Sequence, residues 1–554
     1  LTWPKLFFIL LIITIFNWGA FLNPVFSYSS ADVPVHHWSY EAVDKLAIAG
    51  LLSVSGLDTR PMTRVQMAYK IKEAVDNIEE ENIPTYLCLD REQIEYLQGM
   101  LYKLVDEFRS ELVLIGVTTA DKETRDDRAA KDKFYKFNLA SPMRVEQRLA
   151  SVKLRKDVLL ENENGLRVEE GFNLRVRAYP WVNVYSPLGR DLPGEPGFAF
   201  SAAPTLKVAG NGTELFFDEV AAKFSMFNME LSVAKSAMWW GPGFNGAMLL
   251  SNNAKPLSII KIRTINNFRF PWVFENLGLF GGSFFISKLE KDRNVPSPNF
   301  AGLRLEWAPL PYFTVSANRT SIMGGEGRKK FRLKDYWNTF VTKNELSHSI
   351  EGNALDTDQL ASFDGKFVMP FRPEVRAASG MELYGEWAGE DKFAFWENEL
   401  PGYLVGIFLT DILRDKGTDL RVEYARDKAG WYEHGIFNAG ATATAYTYKG
   451  EIMGHHMGGD ADDIFLRISK EAPFLCTPYF DAVKAGCQLD FERHGITLAA
   501  PEKLAEVTAD IKWSHSDTVA LLLKYEFEYY RNAGNISGRT ARNHIVLLEG
   551  DFKF

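Results

Sequence analysis

At 554 residues the chain is long enough for more than one domain, and its net charge of −9 argues against a nucleic-acid partner. No window beyond the N-terminus approaches a transmembrane helix, yet aromatics abound, with 40 Phe, 21 Tyr and 13 Trp. Strands of a membrane barrel hide their hydrophobicity by alternation, so a mean hydropathy of −0.17 suits them. Cys88, Cys476 and Cys487 offer at most one disulfide. No nucleophile elbow or phosphate loop stands out, so neither an enzyme nor a cofactor is expected.

In chain order, Lys5 precedes the apolar run Leu6 to Phe16, followed by small and polar residues up to Ala31. That order reads as a secretory signal over residues 1–31, too short to span a bilayer that needs ~20 apolar residues. Residues 32–80 read as a small helical domain. Ala42, Leu46 and Ala49 have helical spacing and Gly50 takes a C-cap position. Thr63 is placed to cap a second helix over Val65 to Val75. The stretch Asp32-Val-Pro-Val-His-His-Trp-Ser-Tyr40, a "GL" pair and Arg60-Pro-Met-Thr-Arg64 resemble an S-layer homology (SLH) domain. The resemblance implies a cell-wall polymer such as peptidoglycan as ligand, with Asp32, Trp38 and Arg64 at the wall site.

Residues 81–133 read as a linker and an amphipathic helix. Ile94, Leu97, Leu101, Leu104, Phe108 and Leu112 step by three and four, the seam of a short coiled coil over Arg91 to Leu112. At ~1.5 Å per residue it would reach roughly 35 Å, a spacer. The charged run from Ala120 to Lys133 reads as a solvated hinge. An SLH domain, a helix and a barrel in this order resemble OmpM-type tethers of bacteria with two membranes.

From residue 134 to 554 the chain reads as strands. Phe172, Leu174, Val176 and Ala178 oppose Asn173, Arg175 and Arg177; Ala505, Val507, Ala509 and Ile511 oppose Glu506, Thr508, Asp510 and Lys512. A strand places alternate side chains on opposite faces, so such segments turn apolar groups to lipid and charges to a lumen. The expected fold class is mainly β: a large antiparallel transmembrane barrel of roughly 16 to 20 strands. The last thirteen residues alternate in the same way, with Val546, Leu548, Phe552 and Phe554 on one face. This ending resembles the C-terminal signal read by the barrel assembly machinery, which implies that machinery and outer-membrane lipid as partners.

The most distinctive stretch runs from Ser236 to Pro256 and contains Trp239-Trp240-Gly-Pro-Gly243 and Leu249-Leu-Ser-Asn-Asn-Ala-Lys-Pro256. With Leu383 to Asp391, Leu420 to Ala425 and Gly450 to Gly458 in order, it resembles the Wzi family of capsule assembly barrels. The resemblance implies ~18 strands, an occluded lumen, and a surface lectin for capsular or extracellular polysaccharide. Trp239 and Trp240 offer ring faces to sugars, and Asn252 and Asn253 offer amides. The alternative from the residues is structural, with the motif plugging the barrel. His455, His456, Asp460, Asp462 and Asp463 crowd together as metal ligands do, but polar turns carry such residues without an ion, so no metal is expected. Glu382, Glu386 and Glu423 could form an acid–base pair, although lumens are lined with carboxylates anyway. The expected whole is an outer-membrane polysaccharide-associating barrel with a periplasmic SLH domain that tethers it to the wall. The alternative is a porin-like channel with the same tether.

Overall fold

The computed structural model describes residues 28–79, 91–117, 135–138, 143–152, 169–185, 196–210, 212–328, 357–372, 374–390, 402–433, 445–472, 482–515 and 518–553. The apolar run of the signal, the charged run to Lys133, Cys88, Cys476 and Phe554 lie outside them.

Strands from Tyr135 to Phe552 form a closed antiparallel barrel of 18 strands. Two of these comprise two described pieces each: Tyr135–Asn138 with Met143–Ser151, and Gly171–Ala178 with Trp181–Val184. Each strand pairs with its neighbour in sequence. Closure is made by Thr540–Phe552 against Met143–Ser151, with Val546 opposite Leu149. Alternation decides the faces as expected. Phe172, Val233, Ile260, Trp307 and Leu548 stand exposed on the outer surface, whereas Arg175, Arg177, Glu506 and Thr508 are buried inside. The outer face is therefore an apolar belt for lipid and the inner face is charged. Cys487 lies on the outer face. Pro204, which cannot donate to the ladder, sits where the register slips between Ala202 and Pro204.

Among the described residues, four helices precede the barrel: α1 (Trp38–Ile48), α2 (Arg64–Glu79), α3 (Arg91–Glu107) and α4 (Arg109–Leu114). The start of α2 is a reciprocal cap. Thr63 Oγ1 accepts from the Gln66 N–H at 3.0 Å, and Gln66 Oε1 accepts from the Thr63 N–H at 2.8 Å. Val43, Leu46, Ile71, Leu97, Leu101, Leu104 and Phe108 fill one apolar core among the helices.

The helices do not stand apart from the barrel, which corrects the expectation of a separate domain on a spacer. Glu41, Asp44 and Lys45 of α1 bond across the lumen to Lys484 (2.6 Å), Lys366 (3.2 Å) and Asp419 (2.5 Å). The coiled-coil seam is buried against α1 and α2 rather than a second coil, and the helix breaks at Phe108, where φ is −109° and ψ 18°. On α3, Lys103 reaches Glu471 at 3.1 Å, so that helix docks back on the barrel instead of extending away. Helices pack into this end because their outward charges meet opposite charges on the inner wall, which a lumen supplies at every second residue.

Candidate functional site

Residues 237–256 leave the wall between the strands Met229–Ser236 and Leu257–Thr264 and fold inward. Inside they meet the N-terminal segment. Thr59–Arg60 forms a two-residue antiparallel ladder with Trp239–Trp240, pairing Thr59 with Trp240 and Arg60 with Trp239. The Gly241 N–H donates to Asp58 O at 3.0 Å, and the Trp240 N–H to Leu250 O at 2.9 Å. A backbone inside a barrel must find partners away from water, and here the two inserted segments supply them to each other.

The wall supplies the rest. Glu423 accepts from the Phe244 and Asn245 N–H groups at 2.5 and 2.8 Å, and Glu386 from the Met248 N–H at 2.8 Å. Tyr432 and Tyr446 donate to the Met248 and Leu249 carbonyls at 2.5 and 2.8 Å. Glu386 and Glu423 thus anchor the inward segment. Glu382 faces Lys366 and Arg421 at 3.4 and 3.7 Å, which corrects the acid–base pairing of these three carboxylates.

The sugar-binding candidates are internal. Trp239 is 3% and Trp240 2% exposed. Trp240 packs edge-on to Phe285 at 5.3 Å and against Gly302, where a Cβ would come within 2.8 Å of the indole. Asn252 Nδ2 meets His36 Nε2 at 2.6 Å, and Asn253 Nδ2 donates to Ile452 O at 3.0 Å. Both indoles are packed inside the lumen, the placement that the plugging alternative expects.

The wall-site candidates are likewise engaged within the molecule. Asp32 bonds Lys223 at 2.5 Å and Arg263 at 3.1 Å, both on the barrel wall. Arg64 binds Glu107 and Glu111 at 3.2 and 3.0 Å and lies over the Phe108 ring. Trp38 is half-buried against the same core.

Beside these plugs the lumen keeps a cavity of about 660 Å³. It extends from Asp551 and Lys553, where the last strand ends, to Glu528 and Leu504 near the opposite rim. Lys512, Lys524, Glu526 and Glu549 line it with both signs of charge, and Trp38 and Trp181 add aromatic surface.

Residues 143–540 match the sequence profile of the capsule assembly protein Wzi family. The chain belongs to that family. An uncharacterised 55.8 kDa protein in the cps region of Klebsiella pneumoniae is 25% identical over 224 residues, which span 40% of this chain and 40% of that relative's own length. Among solved structures, Wzi of Escherichia coli superposes with a TM-score of 0.63 at 16% identity, covering 94% of this chain and 99% of that one. That protein is an outer membrane protein involved in group 1 capsule assembly and a carbohydrate-binding β-barrel. The present Wzi-family chain has the same fold, a closed antiparallel β-barrel.

Two interior partners in this Wzi-family barrel escape the strand pattern. Tyr432 and Tyr446 sit in loops and carry no periodic signal, so only the folded lumen brings them to the inward segment. Lys366 could have been found as an inward charge, since it alternates with Gly365 and Phe367 on its strand.

Proposed function

We propose that this outer-membrane barrel associates with surface polysaccharide without acting on it chemically. The observation that carries the reading is the doubly plugged lumen: residues 237–256 and the N-terminal segment join inside it through the Thr59–Arg60 and Trp239–Trp240 ladder. A barrel filled in this way is built to hold a surface rather than to pass bulk solute. Family membership and the carbohydrate-binding Escherichia coli relative support the same ligand class.

Turn lengths orient the barrel. The end where the last strand finishes has short connections such as 227–228 and 311–312; the other end carries 324–356 and 427–460. Short turns face the periplasm in bacterial barrels and long loops face outward. The long loops would then meet the polymer, and the helices would close the periplasmic mouth. A tether to peptidoglycan would need surfaces of residues 32–80 other than Asp32 and Arg64, whose charges are answered inside.

The cavity along the strands from Glu502 to Phe552 favours a second reading, a narrow channel. The deciding experiment measures purified barrel in planar bilayers and cells lacking it. A polysaccharide-associating barrel gives no steady conductance, binds isolated capsular or extracellular polysaccharide, and its loss releases polymer from the cell surface. Steady conductance together with unchanged polymer retention would reject this reading in favour of the channel.

A further inference from the structure

Beneath the inward segment, two loop histidines and three wall carboxylates converge. Asp463 lies on the strand Ala461–Ala472, Asp490 and Glu492 on Ala482–His494, and His455 and His456 on the loop between strands. All five are at least nine-tenths buried. The ligating atoms of His456, Asp490 and Glu492 lie within 4.8 Å of one another, as do those of His455, His456 and Asp463. Asp460 and Asp462, grouped with the histidines by sequence proximity, point elsewhere: Asp460 accepts from Thr497 and Asp462 pairs with Arg493.

The charges here lack an ordinary counterpart. No lysine or arginine pairs with Asp463 or Asp490 among the described residues. The Asn245 amide donates to Oδ2 of both, at 3.1 and 3.0 Å, while Oδ1 of each is buried without a partner. Glu492 turns one oxygen to His494 at 2.5 Å and the other to His456 Nε2 at 3.3 Å. Two carboxylates held side by side by one amide in a dry interior repel each other unless a cation or a proton intervenes.

Spacing selects among cations. Donors at ~2.0–2.1 Å from a tetrahedral ion stand roughly 3.3–3.4 Å apart. His456 Nε2 is 3.3 Å from Glu492 Oε1 and 3.6 Å from Asp463 Oδ2. One imidazole with carboxylates suits a first-row divalent ion better than the all-oxygen shells of calcium or magnesium. His455 takes a different part. Its Nδ1 accepts from the Met457 N–H at 3.3 Å, so Nε2 carries the proton, and it points at Asp463 Oδ2 from 3.9 Å with no hydrogen-bond partner. His494 bridges Glu492 and Glu502 and orients the former, as an outer partner does around a metal.

We propose that His456, Asp463, Asp490 and Glu492 form a binding site for a divalent transition ion, with Zn2+ the best fit. Bound there, the ion joins the loop 445–460 to two wall strands and, through Asn245, to the inward segment.

The test uses the full folded chain in detergent, stripped with chelator. Zn2+ is titrated in competition with a chromophoric chelator, and metal content is measured after desalting. One Zn2+ per folded chain is expected, with Ca2+ and Mg2+ failing to displace it. Asp490→Asn and Glu492→Gln should each weaken binding at least about tenfold while the barrel keeps its heat-modifiable mobility. No stoichiometric ion, or binding unchanged in both variants, overturns the site and leaves a shared proton between Asp463 and Asp490. Should both variants fail to fold, Co2+ added to the unaltered chain decides: the intense visible band of a four-coordinate site supports the proposal and its absence overturns it.

Discussion

His36 Nε2 and Asn252 Nδ2 lie 2.6 Å apart at the meeting of two segments that enter the barrel from opposite ends. Residue 36 leads into α1, whereas residue 252 belongs to the inward loop between two wall strands. With the Thr59–Arg60 ladder on Trp239–Trp240, this contact makes each plug part of the other's support. Disturbing one should therefore loosen both.

Trp240→Ala is the sharpest test of that coupling. The indole is 2% exposed and fills the space beside Phe285 and Gly302. Removing a buried aromatic costs about 3–5 kcal/mol. The variant should reach the membrane in reduced amount and unfold at lower urea. Protease should cut the N-terminal segment sooner, although the substitution lies over 150 residues away in sequence. Unchanged stability with a selective loss of polysaccharide binding would return Trp240 to the role of a sugar platform.

Lys366 carries the helices on the wall. Its ammonium stands 3.2 Å from Asp44, 2.9 Å from Asp58 and 3.4 Å from Glu382, and it is 2% exposed. Lys366→Met leaves three buried carboxylates without their shared cation, a loss of roughly 3–5 kcal/mol. Hydrogen exchange in α1 should quicken far more than exchange in the strands. Equal exchange in the variant and the parent would mean that the apolar core alone seats the helices.

Acid should release the same helices. Burial pushes His37 down to about 4, against 6.5 in the unfolded chain. Burial alone would raise Glu107, but His37, Arg64 and Lys553 beside it hold it at about 2, against 4.5. The unfolded segment takes up both protons more readily than the folded one. The His37 contribution is complete above about pH 6.5 and fades as pH falls to 4; that of Glu107 is complete above 4.5 and fades towards 2. Protection of residues 32–48 from hydrogen exchange should fall in two steps on acidification. His37→Asn, which keeps a capping acceptor for the Ser39 N–H, should remove the upper step. Protection that is flat from pH 7 to 4 in the parent chain would contradict the assignment.

The barrel was legible because its signal is local. Alternation in Phe172 to Ala178 or Leu504 to Trp513 reports which face meets lipid, and the register of one strand needs only its neighbours. The Ser236 to Pro256 stretch was equally conspicuous, but its meaning was not. Two adjacent tryptophans look the same in a sequence whether they face a sugar or Phe285. The helices misled for a related reason: Asp32 and Arg64 resemble wall-binding residues, and nothing nearby in the chain announces Lys223, Arg263 or Glu111 as their partners. Long-range charge pairing has no period. The histidine cluster shows the same limit, since Asp490 and Glu492 join His456 from more than thirty residues away.

The cavity beside the plugs sets up the last prediction. A small apolar cluster of Leu504, Tyr530, Ala533 and Ala541 stands by its rim near Glu528 and Leu504, placed to act as a seal. Tyr530 is the bulk of that seal, 1% exposed, with its hydroxyl donating to Glu528 Oε2 at 3.1 Å. Truncating it removes a ring's volume at that rim. Below it the walls carry Lys512, Lys524, Glu526 and Glu549, so water and small ions would meet charged surface once inside. In planar bilayers the parent barrel should show no steady current, and Tyr530→Ala should show a small, persistent one. Leu504→Ala, which removes less volume at the same seal, should give a weaker or flickering current. Silent bilayers from a correctly assembled Tyr530→Ala barrel would show that the plugs themselves close the path, and that the cavity is a pocket with one mouth.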